Sequence, residues 1–136
     1  MMKLFGLMMI LLWPFTGFAQ KGSQGIASYY HTRFHGRKTA SGEIFSNQKM
    51  TAASNRLKLG TMVRVTNLRN GKSVIVKIND RMSAGNGRLI DLSHRAAQEL
   101  CFIDQGTCKV VVEPIEEKDA FLYIDSLGQF GIKDSF

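Results

Sequence analysis

Asp80 is the residue in this chain best suited to acid–base chemistry. It directly follows an alternating stretch, Ser73 to Asn79, so a rigid strand would aim its carboxyl into the loop that begins there. A carboxyl works as a general acid only if it is held protonated near neutral pH, which takes burial or a second negative charge close by. Glu43, in a long polar stretch upstream, offers such a charge by like-charge repulsion, and as a carboxylate it can also steady positive charge developing on a substrate. Both residues have plainer readings: Asp80 as a turn residue paired with Arg81, and Glu43 as a solvated loop charge. His31 and His35 have a spacing found in some metal sites, but no third ligand stands near, so loop histidines fit better. No metal or cofactor is called for. Arg37, Arg81 and Arg88 offer planar forks that suit carboxylates, either a ligand's or those of Asp80 and Asp91. Asp91, within Ile90-Asp91-Leu92-Ser93, reads as a structural carboxylate that holds a loop.

The elements that must position these residues follow from periodicity. Gly25 to Tyr30 reads as a first strand, and His31 to Met50 as a long polar loop of the kind that often carries function. Thr61 to Asn67 and Ser73 to Asn79 alternate apolar and polar residues, with Val63 and Val65 on one face and Val74, Val76 and Ile78 on the other strand's equivalent face. Asn70-Gly71 between them suits a type I′ turn, which predicts a hairpin. Asp80 to Arg88 is a second loop, and Leu89 to Leu92 a short strand. Ser93 can cap a helix from His94 to about Phe102, with Ala97, Leu100 and Cys101 turned inward. Lys109 to Ile115 is a last strand. Beyond Pro114, the apolar run Phe121 to Ile124 belongs either to a terminal hairpin or to a frayed tail.

The amino end carries an export signature. Lys3 precedes an apolar run from Leu4 to Phe18, and Gly17-Phe18-Ala19 is a small-x-small pattern that predicts cleavage after Ala19. The other reading is an uncleaved anchor, but the run falls short of the ~20 residues a spanning helix needs. With no cysteine near the cut there is no site for a lipid anchor, and no stable membrane insertion is expected after cleavage. From Lys21 to Val112 there are 15 basic and 5 acidic residues, and from Glu113 to Phe136 2 basic and 6 acidic. A basic body implies an anionic partner; for an exported protein, wall polymer or a membrane surface fits better than nucleic acid. Cys101 and Cys108 are the two cysteines. In an oxidising compartment they would form a short-loop disulfide worth about 2 kcal/mol, the alternative being two free buried thiols.

Seven segments, in order, resemble the rare lipoprotein A (RlpA) family. They are GIASYY from Gly25, FHGRKTASGEIF from Phe34, TAA from Thr51, LGT from Leu59 with VRVTN from Val63, NDR from Asn79, RLIDLS from Arg88, and Ala96-Ala97. The resemblance spans Gly25 to about Val112. It implies a mostly β fold, a six-stranded double-psi β-barrel shared with expansins and barwin-like proteins, with one or two short helices. The expected layout is a signal peptide over 1–19, a short lead over 20–24, the barrel over 25–115 and an acidic tail over 116–136.

The resemblance also implies an endolytic lytic transglycosylase that cleaves MurNAc–GlcNAc bonds of peptidoglycan and leaves 1,6-anhydro ends. Family positions held to matter fall on Glu43, Ser54 and Asp80, and Ser54 stands where the family has His. Met82-Ser83 likewise replaces the family's usual Gly-Pro. The expected catalytic residues are therefore Asp80 and Glu43, with Ser54, Arg37, Arg81, Tyr30 and His35 contacting the glycan. The protein is expected to be a monomer, periplasmic or secreted. A non-catalytic, expansin-like wall-binding module is the rival reading, and a partner-binding scaffold on the envelope a second.

Overall fold

The computed structural model describes residues 22–132 and 134–136; the expected signal segment and its cleavage site lie outside them. Six strands are formed: β1 (Ser23–Tyr29), β2 (Thr51–Ala53), β3 (Met62–Asn67), β4 (Ser73–Asp80), β5 (Ile90–Leu92) and β6 (Cys108–Pro114). Two helices, α1 (His94–Glu99) and α2 (Glu117–Gln129), and one 3-10 turn (Thr32–Phe34) complete the secondary structure of the described residues. The strands close into a barrel in the order β1-β5-β2-β4-β3-β6, with β6 returning to β1. The β1/β5 and β2/β4 pairs are parallel, and the other four are antiparallel. The fold class is the one expected, a six-stranded barrel with two helices.

Alternation puts one face of every strand into a single core. Ala27, Ala52, Val63, Val65, Val74, Val76, Ile78, Ile90, Leu92, Val110 and Val112 meet inside the barrel, all buried. A barrel this small has room only for side chains, so β-branched residues fill it and alanines sit where strands crowd. Helix α1 closes one end with Ala96, Ala97 and Leu100, backed by Phe102. Its first turn is capped by Ser93, whose hydroxyl accepts the Ala96 N–H.

Several local expectations are corrected. The β3–β4 hairpin exists, but its loop is Leu68–Lys72 rather than a two-residue turn. Asn67 O accepts the Gly71 N–H, Lys72 O accepts the Asn67 N–H, and Gly71 takes a positive φ while Asn70 does not. The Asn70 side chain instead donates to Leu100 O, tying the hairpin to α1. Thr51–Ala53 is a strand, too short and too uniformly buried to show a period. Helix α1 stops at Glu99, and Cys101, with φ of 59°, turns outward rather than into the core. The acidic segment is neither hairpin nor frayed. It forms α2, whose first turn carries Glu117 and Asp119 where the helix dipole favours negative charge. Ala120 is its buried contact, and the chain then folds back so that Ser135 O accepts the Met50 N–H and Phe136 packs on Tyr123 and the core.

Candidate active site

An irregularity in β4 creates the site. Thr51 stands opposite Lys77 and Ala52 opposite Ile78, but Ala53 stands opposite Asp80, so Asn79 is one residue too many. Such a bulge re-aims the side chain that follows it. Ala53 also faces Asp91 on its other side, and Asp91 faces Ser28. Asp80, Ala53, Asp91 and Ser28 therefore form one row across four strands. Ala52, Leu92 and Ala27, the sequence neighbours of Ala53, Asp91 and Ser28, point into the core, and the extra residue Asn79 lets Asp80 face away from it although Ile78 faces in, so the row lies on the barrel's outer face.

The long loop after β1 covers this row. Tyr30, Phe45 and Ala53 form a second apolar cluster, with Phe34 and Met82 packed against it. Within the loop Lys38 bridges to Ile44, and Thr39 N donates to Glu43 O at 2.8 Å. Gly42, at φ 90°, lets the chain reverse there. The turn docks on the end of β4: Ser41 N donates to Asn79 O, and Ala40 N donates to Asp80 Oδ1 at 2.9 Å.

Asp80 is held from three sides. The Tyr30 hydroxyl donates to Oδ2 at 2.6 Å, and the backbone N–H groups of Ala40 and Arg81 donate to Oδ1 at 2.9 and 2.8 Å. Burial, and then the Asp80 carboxylate beside it, push the Tyr30 hydroxyl far above its usual range, so it stays a donor. A cavity of about 240 Å³ opens at the carboxyl, lined by Tyr30, Phe34, Arg37, Lys38, Phe45 and Asp80. The Arg37 guanidinium lies 5.5 Å from the centre of the Phe34 ring, and that of Arg33 5.0 Å from the same ring.

Glu43 is in the docking turn, but its charge is already compensated. Lys77 Nζ donates to Oε2 at 2.9 Å and Ser41 Oγ to Oε1 at 3.3 Å. The lysine holds the Glu43 carboxyl below the usual range, so it is ionised. The uncompensated negative charge expected of Glu43 beside Asp80 is thus absent. Lys77 was visible in the sequence as the charged residue opposite the apolar face of its strand. Its partner was not, because the pairing depends on how a distant loop folds back.

Three of the residues expected to contact glycan have their polar groups engaged within the protein. Ser54 is 0% exposed; its hydroxyl donates to Leu89 O and accepts the Arg56 N–H, so it offers nothing to a ligand. The Arg81 guanidinium donates to the carbonyls of Ser54 and Leu57, which makes it a strut under the loop rather than a partner of Asp80 or of a ligand. The Tyr30 ring is packed against Phe45 at 4.3 Å and Phe34 at 5.8 Å, so it is largely buried and reaches the cavity only at its edge, with its hydroxyl committed to Asp80. His35 accepts the Asn47 N–H at Nδ1, away from the cavity lining, and His31 caps the 3-10 turn. Arg37 alone of the expected binding residues lines the cavity together with an available charge. Met82, at the family's Gly-Pro position, packs onto the Tyr30 cluster while its N–H is held by Asn55 Oδ1 at 2.8 Å.

Asp91 is the site member that sequence reasoning set aside as structural. Burial raises its carboxyl above the usual range and the Asp80 charge adds to that, against a hydrogen bond from Ser28 Oγ at 2.8 Å and the charge of Arg88. The available signal was an acidic residue alternating with Ile90 and Leu92 on a buried strand.

The expected disulfide is not formed: Cys101 and Cys108 are free thiols. The turn that ends α1 sends Cys101 outward, where its Sγ lies 3.3 Å from Lys72 Nζ, while Cys108 is fixed in the β6 ladder opposite Ala27. Among the described residues no group of three or more His, Cys, Asp or Glu is placed to hold a metal, and no helix is long and apolar enough to cross a membrane.

A closed barrel with a carboxyl row under a cationic, aromatic loop defines a double-psi barrel protein with an open surface site. Solved structures agree on the fold: a Streptomyces papain inhibitor superposes with a TM-score of 0.57 at 22% identity, over 71% of this chain and 96% of that one. An expansin of Clavibacter michiganensis gives 0.58 at 20% identity, over 71% and 52%. A family profile described as "Lytic transglycolase" matches residues 22–112. The endolytic peptidoglycan transglycosylase RlpA of Neisseria meningitidis is 47% identical over 113 residues, 76% of this chain and 47% of that protein. The same-named protein of Pseudomonas aeruginosa is 52% identical over 92 residues, 68% of this chain and 27% of that protein. The chain belongs to the RlpA family of lytic transglycosylases. It spans about half, or less, of the length of the curated relatives it matches.

Proposed function

We propose that this protein cleaves peptidoglycan glycan strands outside the cytoplasm as an endolytic lytic transglycosylase. The observation that carries the reading is Asp80, a carboxyl fixed at the floor of an open cavity whose rim is aromatic and cationic. The names of its relatives support the same substrate. Asp80 would give its proton to the bridging oxygen as the C1–O bond of MurNAc breaks. The C6 hydroxyl of the same sugar then bonds to C1 and returns a proton to Asp80. Atoms balance without water, and the product is a 1,6-anhydro end. Glu43, ionised and bonded to Lys77, would not transfer a proton; it would serve the site by holding the turn that docks on Asp80. Arg37 and Lys38 suit the lactyl or stem-peptide carboxylates of the wall. The protein would act as a monomer, in the periplasm or secreted, with no nucleic-acid partner.

Ser54 favours one second reading, an expansin-like module that binds wall glycan without cutting it. The family's His is replaced by a hydroxyl that is fully buried and already bonded, so no imidazole assists proton transfer. Digestion of purified sacculi, with mass spectrometry for anhydro-muramic ends, separates the two. Anhydro products that disappear with Asp80→Asn support the enzyme. Sacculus binding without products from the unaltered protein leaves the binder.

A further inference from the structure

We propose that Asp91 is the second carboxylate of this site, a positioning residue whose charge acts on Asp80 across Ala53. The inference rests on Asp80 acting as the proton donor, and it replaces Glu43 in the supporting role.

The geometry is the row across the strands. Asp80 and Asp91 are each registered against Ala53, one from β4 and one from β5. At the ordinary strand spacing of ~4.8 Å their Cα atoms are roughly 10 Å apart, with both side chains on the same face. Between them stands only a methyl group, because residue 53 is Ala, and Tyr30 packs over it. Asp91 is held by Ser28 on one side and Asp80 by Tyr30, Ala40 and Arg81 on the other, so the two carboxyls meet not by contact but by charge over a short distance, where each disfavours ionisation of the other.

The surroundings favour this pair over any with Glu43. Asp91 is faced from β1 by the Ser28 hydroxyl and from the loop before β5 by Arg88, and β2 contributes the uncharged Ala53. Asp80 is faced by the Tyr30 hydroxyl, by the amides of Ala40 and Arg81, and across the cavity by Arg37 and Lys38. Tyr30 is sensitive to both carboxylates, which places the three groups in one electrostatic neighbourhood. Glu43 has its own cation in Lys77. Asp91 has no ion-pair partner within 4 Å among the described residues, and only the more distant Arg88 offsets its charge toward Asp80.

The test uses the whole chain and two readouts. Carboxyl-carbon NMR follows Asp80 through a pH titration in the unaltered protein, Asp91→Asn, Asp91→Glu and Ser28→Ala. Removing the second charge should move the Asp80 titration to lower pH by about half to one unit, a three- to tenfold change in its protonated fraction. Glu at position 91 should restore it. Ser28→Ala, which withdraws a donor from Asp91 and so favours its neutral form, should also lower the Asp80 titration, and it serves if Asp91→Asn does not fold. The alkaline limb of sacculus digestion should shift in step. An Asp80 titration unmoved in folded Asp91→Asn or in Ser28→Ala overturns the proposal, as does a lower rate with an unshifted pH profile. Coupling seen without anhydro products would sink the transglycosylase reading and leave the pair standing. Products without coupling sink the pair alone.

Discussion

Tyr30 donates its hydroxyl to Asp80 Oδ2 at 2.6 Å across 50 positions of sequence, which ties the end of the first strand to the bulge of the fourth. The bond closes the loop cluster over the site and fixes one oxygen of the Asp80 carboxyl. Tyr30→Phe keeps the ring packing against Phe34 and Phe45 but removes the donor. It should lower stability by about 1–2 kcal/mol, since a part-buried hydrogen bond is lost and its acceptor is left without that partner. It should also lower turnover on sacculi, because Asp80 gains freedom. Urea unfolding unchanged within error would mean that the bond contributes nothing net.

Glu43 should make stability depend on pH in the acid range. Its folded pKa is depressed by Lys77, so its contribution is present above the unfolded value and fades as pH falls through the folded one. The side chain is 40% exposed, so solvent screening holds the effect to under ~1 kcal/mol. Glu43→Gln should melt below the unaltered protein at pH 7, and the two melting curves should draw together as pH falls below the ordinary carboxyl range. A constant gap from pH 3 to 7 would assign the loss to packing rather than to the ion pair.

Asp91 should show the opposite sign. Its folded pKa is raised, chiefly by burial, so its ionisation opposes folding as pH rises above the ordinary carboxyl range. Asp91→Asn retains an oxygen to accept the Ser28 hydroxyl. It is therefore expected to melt at the same temperature as the unaltered protein near pH 3 and higher at pH 7. A lower melting temperature at pH 7 would show that Asp91 stabilises the barrel, contrary to a site residue maintained at the expense of stability.

The two thiols should be countable. Cys101 is exposed, whereas Cys108 is half-buried and burial raises its thiol pKa. Thiol reagent added to the native protein should react with one cysteine quickly and a second slowly, and with both at once in denaturant. A reducing agent should leave the melting temperature unchanged. Absence of reactive thiol in denaturant would mean that the bridge forms after all.

Most of the barrel was legible along the chain. Alternation in Val63-Arg64-Val65 and in Val74 through Ile78 marks strands because one face must meet the core and the other the solvent or the loop, and the structure keeps both. Ser93 announced the helix that it caps. Thr51–Ala53 escaped notice because all three of its residues are buried, so no polar face marks the period. The segment from Phe121 to Ile124 left a terminal hairpin and a frayed tail both open, because its apolar residues are consecutive and show no helical period. It is a helix whose apolar side chains are left largely exposed, with Ala120 turned inward.

The sequence by itself determined which residues carry charge and which local periods are possible, and so supplied Asp80 at a strand end, the core faces and the basic loop. The tertiary structure alone decided which carboxyls meet. A single extra residue at Asn79 turns Asp80 onto the outer face and into register with Ala53 and Asp91. The same closure buries Ser54, commits Arg81 to two carbonyls and gives Glu43 to Lys77. The reason is physical. Hydrogen bonds and charges act over a few ångströms between strands far apart in the chain, and only the closed barrel fixes those separations.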